Sequence, residues 1–258
     1  PPVARRLMDA FWPGPLTVIV PRAAGVAAAA AGGQPTIGLR CPAHPVARAL
    51  LAALHGLGVH GVAAPSANRF GRVSPTQAAH VADEFDAGLL ILDGGACELG
   101  IESSIVDCSR ARPVLLRPGV LTLAAVEAAA GESLAEDGQD SPAPRASGTL
   151  AAHYAPRATV RLLDTAALTE ILAKQWPPGV AVYSRTVLPT CTPVGACLRR
   201  MPDEARAAAQ ELFAVLRELD AAGAQQIWIE NAPQAAEWDG VRDRLSRAAA
   251  AFNEPVSG

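Results

Sequence analysis

The segment Ala64-Pro65-Ser66-Ala67-Asn68-Arg69-Phe70-Gly71-Arg72-Val73-Ser74-Pro75-Thr76 joins a predicted strand to a predicted helix. The residues from Gly61 to Ala64 form a short apolar run that is typical of a buried strand, and Pro65 ends it. A helix is predicted over Pro75 to Phe85, because Ser74 suits the N-cap, Pro75 suits the first helical position and Gln77 completes a capping box. The segment therefore predicts a strand end that faces a helix N-terminus.

This junction has the character of an anion site. The unpaired N–H groups and the positive dipole end of a helix N-terminus favour a negative charge, and phosphate is the expected ligand. Ser66, Asn68 and Ser74 supply polar side chains there, and Arg69 and Arg72 supply positive charge. The structural alternative is that Ser74 is only a cap, that Ser66 and Asn68 only form turns, and that the two arginines are only solvated.

The composition is that of a globular protein. The chain has 258 residues, of which 50% are hydrophobic, and its formal net charge is -3. No apolar run reaches the roughly 18 residues that a membrane span needs. The net acidity gives no reason to expect a membrane or a stable nucleic-acid complex as partner, so any charge that binds phosphate has to be local.

The cysteines indicate a reducing environment. There are 5 of them, an odd number without CxxC spacing, which argues against a disulfide framework and against a zinc ribbon. Cys41 and His44 have CxxH spacing but no second ligand pair, so a buried cysteine beside a helix start is favoured over a metal site. We predict a cytoplasmic location and no metal ligands from the protein.

Hydrophobic periodicity predicts two α/β units. In the first unit, the predicted helices are Val3–Phe11, His44–Leu57, Pro75–Phe85 and Leu121–Ala130, and the predicted strands are Leu16–Val20, Thr36–Arg40, Leu89–Asp93, Ser104–Cys108 and Val114–Arg117. The His44–Leu57 helix is expected to bury a face made of Val46, Leu50, Leu51 and Leu54.

The second unit alternates strands and helices. Its predicted elements are strand Thr159–Leu163, helix Ala166–Gln175, strand Val180–Ser184, a helix through Leu212, Leu216 and Leu219, strand Ile227–Glu230 and helix Ala236–Phe252. The polar stretch between the two units predicts a linker, which gives boundaries of 1–130, 131–156 and 157–258. A G-x-G-x-x-G match over 56–61 leaves a helix and enters a strand, the reverse of a dinucleotide site, so it is set aside.

Five further motifs carry a resemblance to a known family. They are Phe11-Trp12-Pro13-Gly14-Pro15-Leu16-Thr17, Gly38-Leu39-Arg40-Cys41-Pro42-Ala43-His44-Pro45, Glu102-Ser103-Ser104-Ile105-Val106-Asp107, Leu116-Arg117-Pro118-Gly119 and His153-Tyr154-Ala155-Pro156. With these motifs the chain resembles the YrdC family of threonylcarbamoyl-AMP synthases. It resembles the longer, two-domain type in particular, because His153-Tyr154-Ala155-Pro156 and the preceding Pro144-Arg145-Ala146-Ser147-Gly148-Thr149 are similar to the linker of that type. The resemblance implies a twisted, open, mixed YrdC-like sheet followed by a smaller Rossmann-like α/β domain, with residues 131–156 lying over the active site.

The resemblance also implies a reaction and its partners. Such proteins make threonylcarbamoyl-adenylate and pyrophosphate from L-threonine, bicarbonate or CO2, and ATP with Mg2+. The product serves enzymes that transfer the threonylcarbamoyl group to tRNA. This chemistry depends on positioning and charge neutralisation, so no covalent nucleophile is expected.

The resemblance assigns roles to individual residues. For L-threonine, the implied residues are Arg40 as the partner of the carboxylate, Ala64 through its backbone, and Ser103. For ATP, the implied residues are Ser66, Asn68, Ser74, Arg117, His153 and Tyr154. Read from the residues alone, Arg40 and Arg117 are better explained as edge charges that pair with acidic side chains, and Ser103 as a strand hydroxyl; the family register favours the functional roles.

One departure from the family concerns positive charge. The family carries a first strand and a Lys-x-Arg motif ahead of the Phe-Trp-Pro-Gly-Pro segment, whereas the single lysine here is Lys174. We therefore expect about 50 to 60 further N-terminal residues in the native protein, and we expect the chain as written to be inactive.

Two competing functions stay open at this stage. One is a non-catalytic module of YrdC-like fold that binds RNA or a nucleotide, and the other is a related transferase that uses carbamoyl phosphate. Pyrophosphate release that needs both threonine and bicarbonate indicates the synthase. RNA binding that falls steeply with salt, without ATP turnover, indicates the binding module.

Overall fold

The computed structural model describes residues 1–135, 144, 148, 150, 152–174, 176–189 and 195–252. Its contacts divide the chain into two units, the first made of Pro1–Pro65 and Glu102–Thr149 and the second of Ser66–Ile101 and Leu150–Gly258. Both units are discontinuous in sequence. The boundaries 1–130, 131–156 and 157–258 stay a prediction, and most of the predicted linker lies outside the described residues.

The described elements alternate between helices and strands. In chain order they are α1 (Pro2–Phe11), β1 (Leu16–Pro21), β2 (Thr36–Arg40), α2 (Pro45–Gly56), α3 (Ala78–Ala82), β3 (Ser104–Asp107), β4 (Val114–Arg117), α4 (Leu123–Ala130), β5 (Thr159–Leu163), α5 (Thr165–Lys174), β6 (Val180–Ser184), β7 (Cys197–Arg200), α6 (Ala205–Ala221), β8 (Gln226–Glu230) and α7 (Asp239–Ala250). A 3-10 turn over Ala236–Trp238 leads into α7.

The first unit contains a mixed sheet in the order β2-β1-β3-β4. Strand β1 is antiparallel to β2 and parallel to β3, and β3 is antiparallel to β4. One face of the sheet packs on α1 and α4 through a cluster of buried apolar side chains. Its members include Ala4, Leu7, Leu16, Val18, Val106, Val126 and Ala130.

Polar contacts at the helix ends fix α1 against α4. Thr122 caps α4 by accepting a hydrogen bond from the Ala125 N–H at 3.3 Å. The Arg6 side chain donates from Nε to the Ala130 carbonyl at 2.6 Å, at the other end of the same helix. Carbonyls in the last turn of a helix lack intrahelical partners, so this arginine satisfies one of them.

The second unit contains a parallel sheet in the order β5-β8-β6-β7. Helix α6 buries one side through Ala208, Leu212, Phe213, Leu216 and Leu219. The parallel sheet with its helices confirms the predicted Rossmann-like α/β domain. Strand β7 was not predicted, because Cys197-Leu198-Arg199-Arg200 has neither alternating polarity nor a long apolar run.

A buried carboxylate organises the carboxyl end of the inner strand β8 of the parallel sheet. Glu230, at the end of β8, is 1% exposed and accepts hydrogen bonds from the Ser184 hydroxyl and from the backbone N–H groups of Arg185 and Thr186, each at 2.7 Å. The hydroxyls of Thr165 and Thr186 also donate to it. Burial alone would raise the pKa of Glu230, but the donors from Thr186, Ser184 and Thr165 outweigh it and lower the pKa to about 2.

Two predicted strands are wrong. Residues 61–64 and 89–93 form neither a strand nor a ladder with any described residue, and all of them except Ile91 are exposed. The exposed fractions of Leu90 and Leu92 are 86% and 57%. A strand needs a hydrogen-bonded neighbour, which apolar character alone does not supply.

The predicted helix over Pro75 to Phe85 is also wrong in its length and its start. Helix α3 covers only Ala78–Ala82, and Gln77 stands at its N-cap without a side-chain hydrogen bond. The Thr76 carbonyl accepts from the Cys97 N–H at 2.9 Å, so the chain before Gln77 is held outside the helix. Helix α3 therefore starts later than Ser74 and Pro75, and with 5 residues it is too short for the predicted helix-dipole anion site.

Helix α2 matches the predicted helix but not its predicted packing. None of its residues is buried, and Val46 and Leu50 are 38% and 40% exposed. Cys41, before this helix, is half-buried and not buried as predicted. Periodicity identified the helix correctly, whereas the burial of its apolar face depends on neighbours that the described residues do not provide.

Candidate active site

Arg40 stands at the end of β2 in the first unit. It is paired with Thr17 of β1 across the antiparallel ladder. Its Nε donates to the Gly14 carbonyl at 3.3 Å, and the Gly14 N–H donates back to the Cys41 carbonyl at 2.9 Å. A Cβ on Gly14 would lie 2.3 Å from the Phe11 carbonyl oxygen, so the Trp12-Pro13-Gly14 turn that supports Arg40 requires glycine.

Ser103, just before β3, is the centre of a buried polar cluster. Its hydroxyl lies 2.8 Å from the Thr17 hydroxyl. Arg117, which is 4% exposed, donates to the Ser103 carbonyl from Nε at 3.1 Å and from Nη2 at 2.9 Å. The structure thus brings Arg117, predicted to contact the nucleotide, against Ser103, predicted to contact threonine.

The next residue, Ser104, is held by a close backbone approach. A Cβ on Gly119 would lie 2.6 Å from the Ser104 nitrogen and 2.7 Å from its hydroxyl oxygen. The Ser104 hydroxyl is fully buried, and it has no hydrogen-bond partner among the described residues. Gly119 therefore allows the Pro118-Gly119 turn to lie directly on the Ser103-Ser104 segment.

Ala64, Ser66 and Asn68 lie outside helices and strands. Ala64 belongs to the first unit, whereas Ser66 and Asn68 belong to the second, and Ala64 and Ser66 are exposed. Asn68 donates from Nδ2 to the carbonyls of Arg69 at 2.8 Å and Arg72 at 3.2 Å, which closes the loop on itself. This is the turn-forming role that the structural alternative gave to Asn68.

Ser74 is buried, at 5% exposure, and α6 holds the backbone around it. Arg217 of α6 donates to the carbonyls of Val73 and Ser74 and pairs with Glu84 at 2.7 Å. Burial alone would raise the pKa of Glu84, but hydrogen bonds from Arg217 and the Arg69 N–H lower it. Sequence reasoning missed Arg217, because its partners are backbone carbonyls more than 140 residues away.

His153 and Tyr154 are both buried, at 7% and 1% exposure. Tyr154 has a left-handed backbone with φ of 63°, which is unusual for a residue other than glycine. The two rings are in edge contact with their centroids 4.2 Å apart, and the His153 ring also faces Phe70 at 6.3 Å. The following residue, Ala155, donates its N–H to the Gly71 carbonyl at 2.9 Å.

A cleft of about 570 Å³ lies in the second unit. Its charged lining consists of Arg69, Arg72, Arg157, Arg217, His80, Asp83, Glu84, Glu218 and Asp220. Burial and the nearby Arg217 cation lower the pKa of His80. The two loop arginines thus face a cleft of mixed charge, and no helix N-terminus long enough to act as an anion site accompanies them.

The part of the chain that the structure describes contains no group of three or more His, Cys, Asp or Glu side chains that could hold a metal ion. Among the same residues no helix has the length and apolarity for a membrane crossing. Cys41, Cys97, Cys108 and Cys197 are free thiols, and Cys191 lies outside the described residues. Burial and the neighbouring Asp107 carboxylate raise the pKa of Cys108 to about 12, so this thiol stays protonated.

Two family profiles match the chain. The Sua5, YciO and YrdC family, described as telomere recombination, matches residues 1–119, and the C-terminal domain of threonylcarbamoyl-AMP synthase matches residues 121–250. Together with the mixed sheet, the parallel sheet and the buried Ser103 cluster, these matches define the class of the protein. It is a two-domain α/β transferase of tRNA modification.

The similarity to known relatives covers nearly the whole chain. The threonylcarbamoyl-AMP synthases of Pyrococcus abyssi and Bacillus subtilis are 34% and 33% identical over 96% of this chain, which spans 74% and 73% of their lengths. The crystal structure of P. abyssi Sua5 complexed with L-threonine matches with a TM-score of 0.81 and 32% identity over 97% of this chain and 75% of that chain. The chain belongs to the threonylcarbamoyl-AMP synthase family.

Proposed function

We propose that this synthase binds L-threonine through Arg40, Ser103 and the backbone of Ala64. Arg40 presents a planar guanidinium, which suits two-point pairing with a carboxylate. Its Nε donates to the Gly14 carbonyl at 3.3 Å, and this bond restrains the orientation of the group. The threonine complex of the P. abyssi relative supports threonine as the substrate.

ATP is proposed to contact Ser66, Asn68, Ser74, Arg117, His153 and Tyr154. In the reaction, the threonine amine reacts with bicarbonate to give a carbamate and water. A carbamate oxygen then attacks the α-phosphorus, and the bond to the β-phosphate oxygen breaks to release pyrophosphate. The site has to neutralise the phosphates and exclude water from the mixed anhydride.

The observation that carries this proposal is the Thr17–Ser103–Arg117 cluster, in which Ser103 and Arg117 are buried. The hydroxyl pair at 2.8 Å and the two bonds from Arg117 to the Ser103 carbonyl immobilise the segment that leads into β3. Ser103 is thereby a fixed hydrogen-bonding group within a site that needs positioning and no covalent nucleophile. The arrangement supports a role for Arg117 in holding Ser103, and its contact with the nucleotide stays a proposal.

His153 and Tyr154 are proposed to close the nucleotide site, which would shield the adenylate from hydrolysis. A structure of a P. abyssi Sua5 variant in which a histidine and the tyrosine that follows it are replaced by alanine also matches, with a TM-score of 0.79 and 30% identity. That relative therefore contains a histidine followed by a tyrosine, and this chain contains the same pair of residue types at His153-Tyr154.

Mg2+ is proposed to arrive with ATP. The described residues offer no acidic cluster that would hold the ion by themselves. Mg2+ commonly keeps several waters and is bound by substrate phosphates with few protein ligands, so this donor set suits an ion carried by the nucleotide. We further propose that the enzyme works in the cytoplasm and passes its product to tRNA threonylcarbamoyl-transfer enzymes.

The test is pyrophosphate release by the full-length protein. We expect release from ATP only when L-threonine and bicarbonate are both present. Release that is independent of threonine would contradict the proposal. Salt-sensitive RNA binding without ATP turnover would instead favour the binding module.

A further inference from the structure

We infer that Arg244 of α7 is a positioning residue for the His153–Tyr154 pair, through which the second unit sets the conformation of the two residues that close the ATP site. The inference rests on the proposed function for the role of that pair. The contacts themselves belong entirely to the second unit.

Tyr154 is held in an unusual backbone conformation by neighbours from two helices. Its ring lies 5.2 Å from the ring of Phe213 of α6, and the guanidinium carbon of Arg244 lies 5.4 Å from its centroid. A non-glycine residue at φ of 63° persists only where the surroundings hold it there. Phe213 of α6 and Arg244 of α7 thus contact the Tyr154 ring in addition to the neighbouring His153 ring.

Helix α7 also fixes the backbone before Tyr154. The Arg247 carbonyl accepts the His153 N–H at 3.2 Å, and the Arg247 side chain donates to the Leu150 carbonyl. Asp243 joins the two arginines, because one carboxylate oxygen lies 2.8 Å from Arg244 Nη1 and the other 2.9 Å from Arg247 Nε. A single acidic side chain thus orients both contacts to residues 150–154.

The chemistry of Arg244 favours a role beyond filling space. The side chain is 0% exposed, and a buried cation costs more desolvation than an apolar side chain of similar volume would. A planar guanidinium over an aromatic face offsets part of that cost and fixes the ring in one plane. The substitution Arg244→Lys retains the positive charge toward Asp243 but loses the planar contact with the Tyr154 ring. It therefore separates the ion pair with Asp243 from the positioning of Tyr154.

The first experiment needs no substrate. Hydrogen–deuterium exchange of the full-length protein is compared for the wild type, Arg244→Lys and the control Arg242→Lys. Arg242 is on the same helix but contacts the Pro233 and Ala235 carbonyls and Asp239. We expect the peptide covering residues 150–156 to exchange about tenfold faster in Arg244→Lys only, as loss of a desolvated cation–π contact implies. Unchanged exchange would overturn the inference whatever the activity.

The second experiment measures kinetics in a cycle with Tyr154→Ala. We expect Arg244→Lys to raise KM for ATP about fivefold and leave KM for threonine unchanged, and to have no further effect once Tyr154 is alanine. Equal effects with and without Tyr154, or equal loss for both substrates, would overturn the inference. If Arg244→Lys does not fold, Phe213→Leu tests the other contact to the ring. Altered exchange in a protein without threonine-dependent turnover would reject the proposed function and retain the positioning role.

Discussion

Arg40 and Arg117 are both arginines at strand ends, yet their surroundings differ. Arg40 is exposed and fixed by the Gly14 carbonyl, whereas Arg117 is buried against Ser103. The sequence could place both at strand ends from local pattern. It could not show that Arg117 points to a backbone carbonyl 14 residues away, because such a partner leaves no trace in residue type.

We predict that Arg40→Ala weakens threonine binding and leaves ATP binding unchanged. Loss of a charge-assisted, two-point pair costs about 1.5 to 3 kcal/mol, or roughly 10- to 150-fold in Kd. Calorimetric titration with each substrate measures both effects. The control is Arg48→Ala, an exposed arginine on α2. Equal threonine affinity in the two variants would remove Arg40 from the site.

The close approach of Gly119 to Ser104 can be tested by adding a methyl group at position 119. We predict that Gly119→Ala lowers the free energy of unfolding by about 1 to 3 kcal/mol, because the new Cβ overlaps the Ser104 backbone and hydroxyl. Gly61→Ala is the control, since a Cβ there meets no atom within 4 Å. Denaturant unfolding compares the two. The packing described for Gly119 is wrong if both variants are as stable as the wild type.

At the scale of elements, several helices and strands that contact neighbouring elements were predictable from the sequence. Strands β3 and β4 and helix α4 match their predicted positions within two residues, because apolar strand runs and helical periodicity are local signals. The residues 61–64 and 89–93 have equally apolar sequences but no ladder partner among the described residues. Their failure as strands shows that sheet membership is decided by pairing, which single-sequence patterns do not encode.

The hydrogen bonds to Glu230 at the end of β8 predict an effect of pH on the stability of the protein. Because the folded pKa of about 2 lies below the ordinary value of 4.5, this carboxylate contributes stability above pH 4.5 that is lost as the pH falls toward 2. The contribution is on the order of 3 kcal/mol. We predict that Glu230→Gln destabilises the protein at pH 7 and flattens the decline between pH 4.5 and 2.

Urea unfolding at several pH values measures this difference. The matched control is Glu170→Gln, whose carboxylate pairs with Lys174 on the surface and is 67% exposed. An exposed pair contributes little, so its stability curve is expected to follow that of the wild type. Parallel curves for Glu230→Gln and the wild type would contradict the assigned role of Glu230.

At the scale of the whole molecule, the segment Ser66–Ile101 depends on residues far along the chain. Its contacts in the second unit include Ala155 against Gly71 and Arg217 against Val73, Ser74 and Glu84. We predict that removal of residues 150–258 leaves amides of this segment unprotected in hydrogen exchange while β1, β3 and β4 stay protected. Retained protection of residues 66–101 would contradict the dependence.

The discontinuous division of the chain also has a consequence for synthesis on the ribosome. Residues 66–101 leave the ribosome well before Arg217, and at ordinary elongation rates the interval is on the order of ten seconds. During that interval the loop that carries Ser66, Asn68 and Ser74 lacks the side chain that holds its backbone. Nascent chains therefore carry this segment before Arg217 can hold the backbone at Val73 and Ser74, and its apolar side chains Phe70, Leu90 and Leu92 are exposed then as they are in the folded protein.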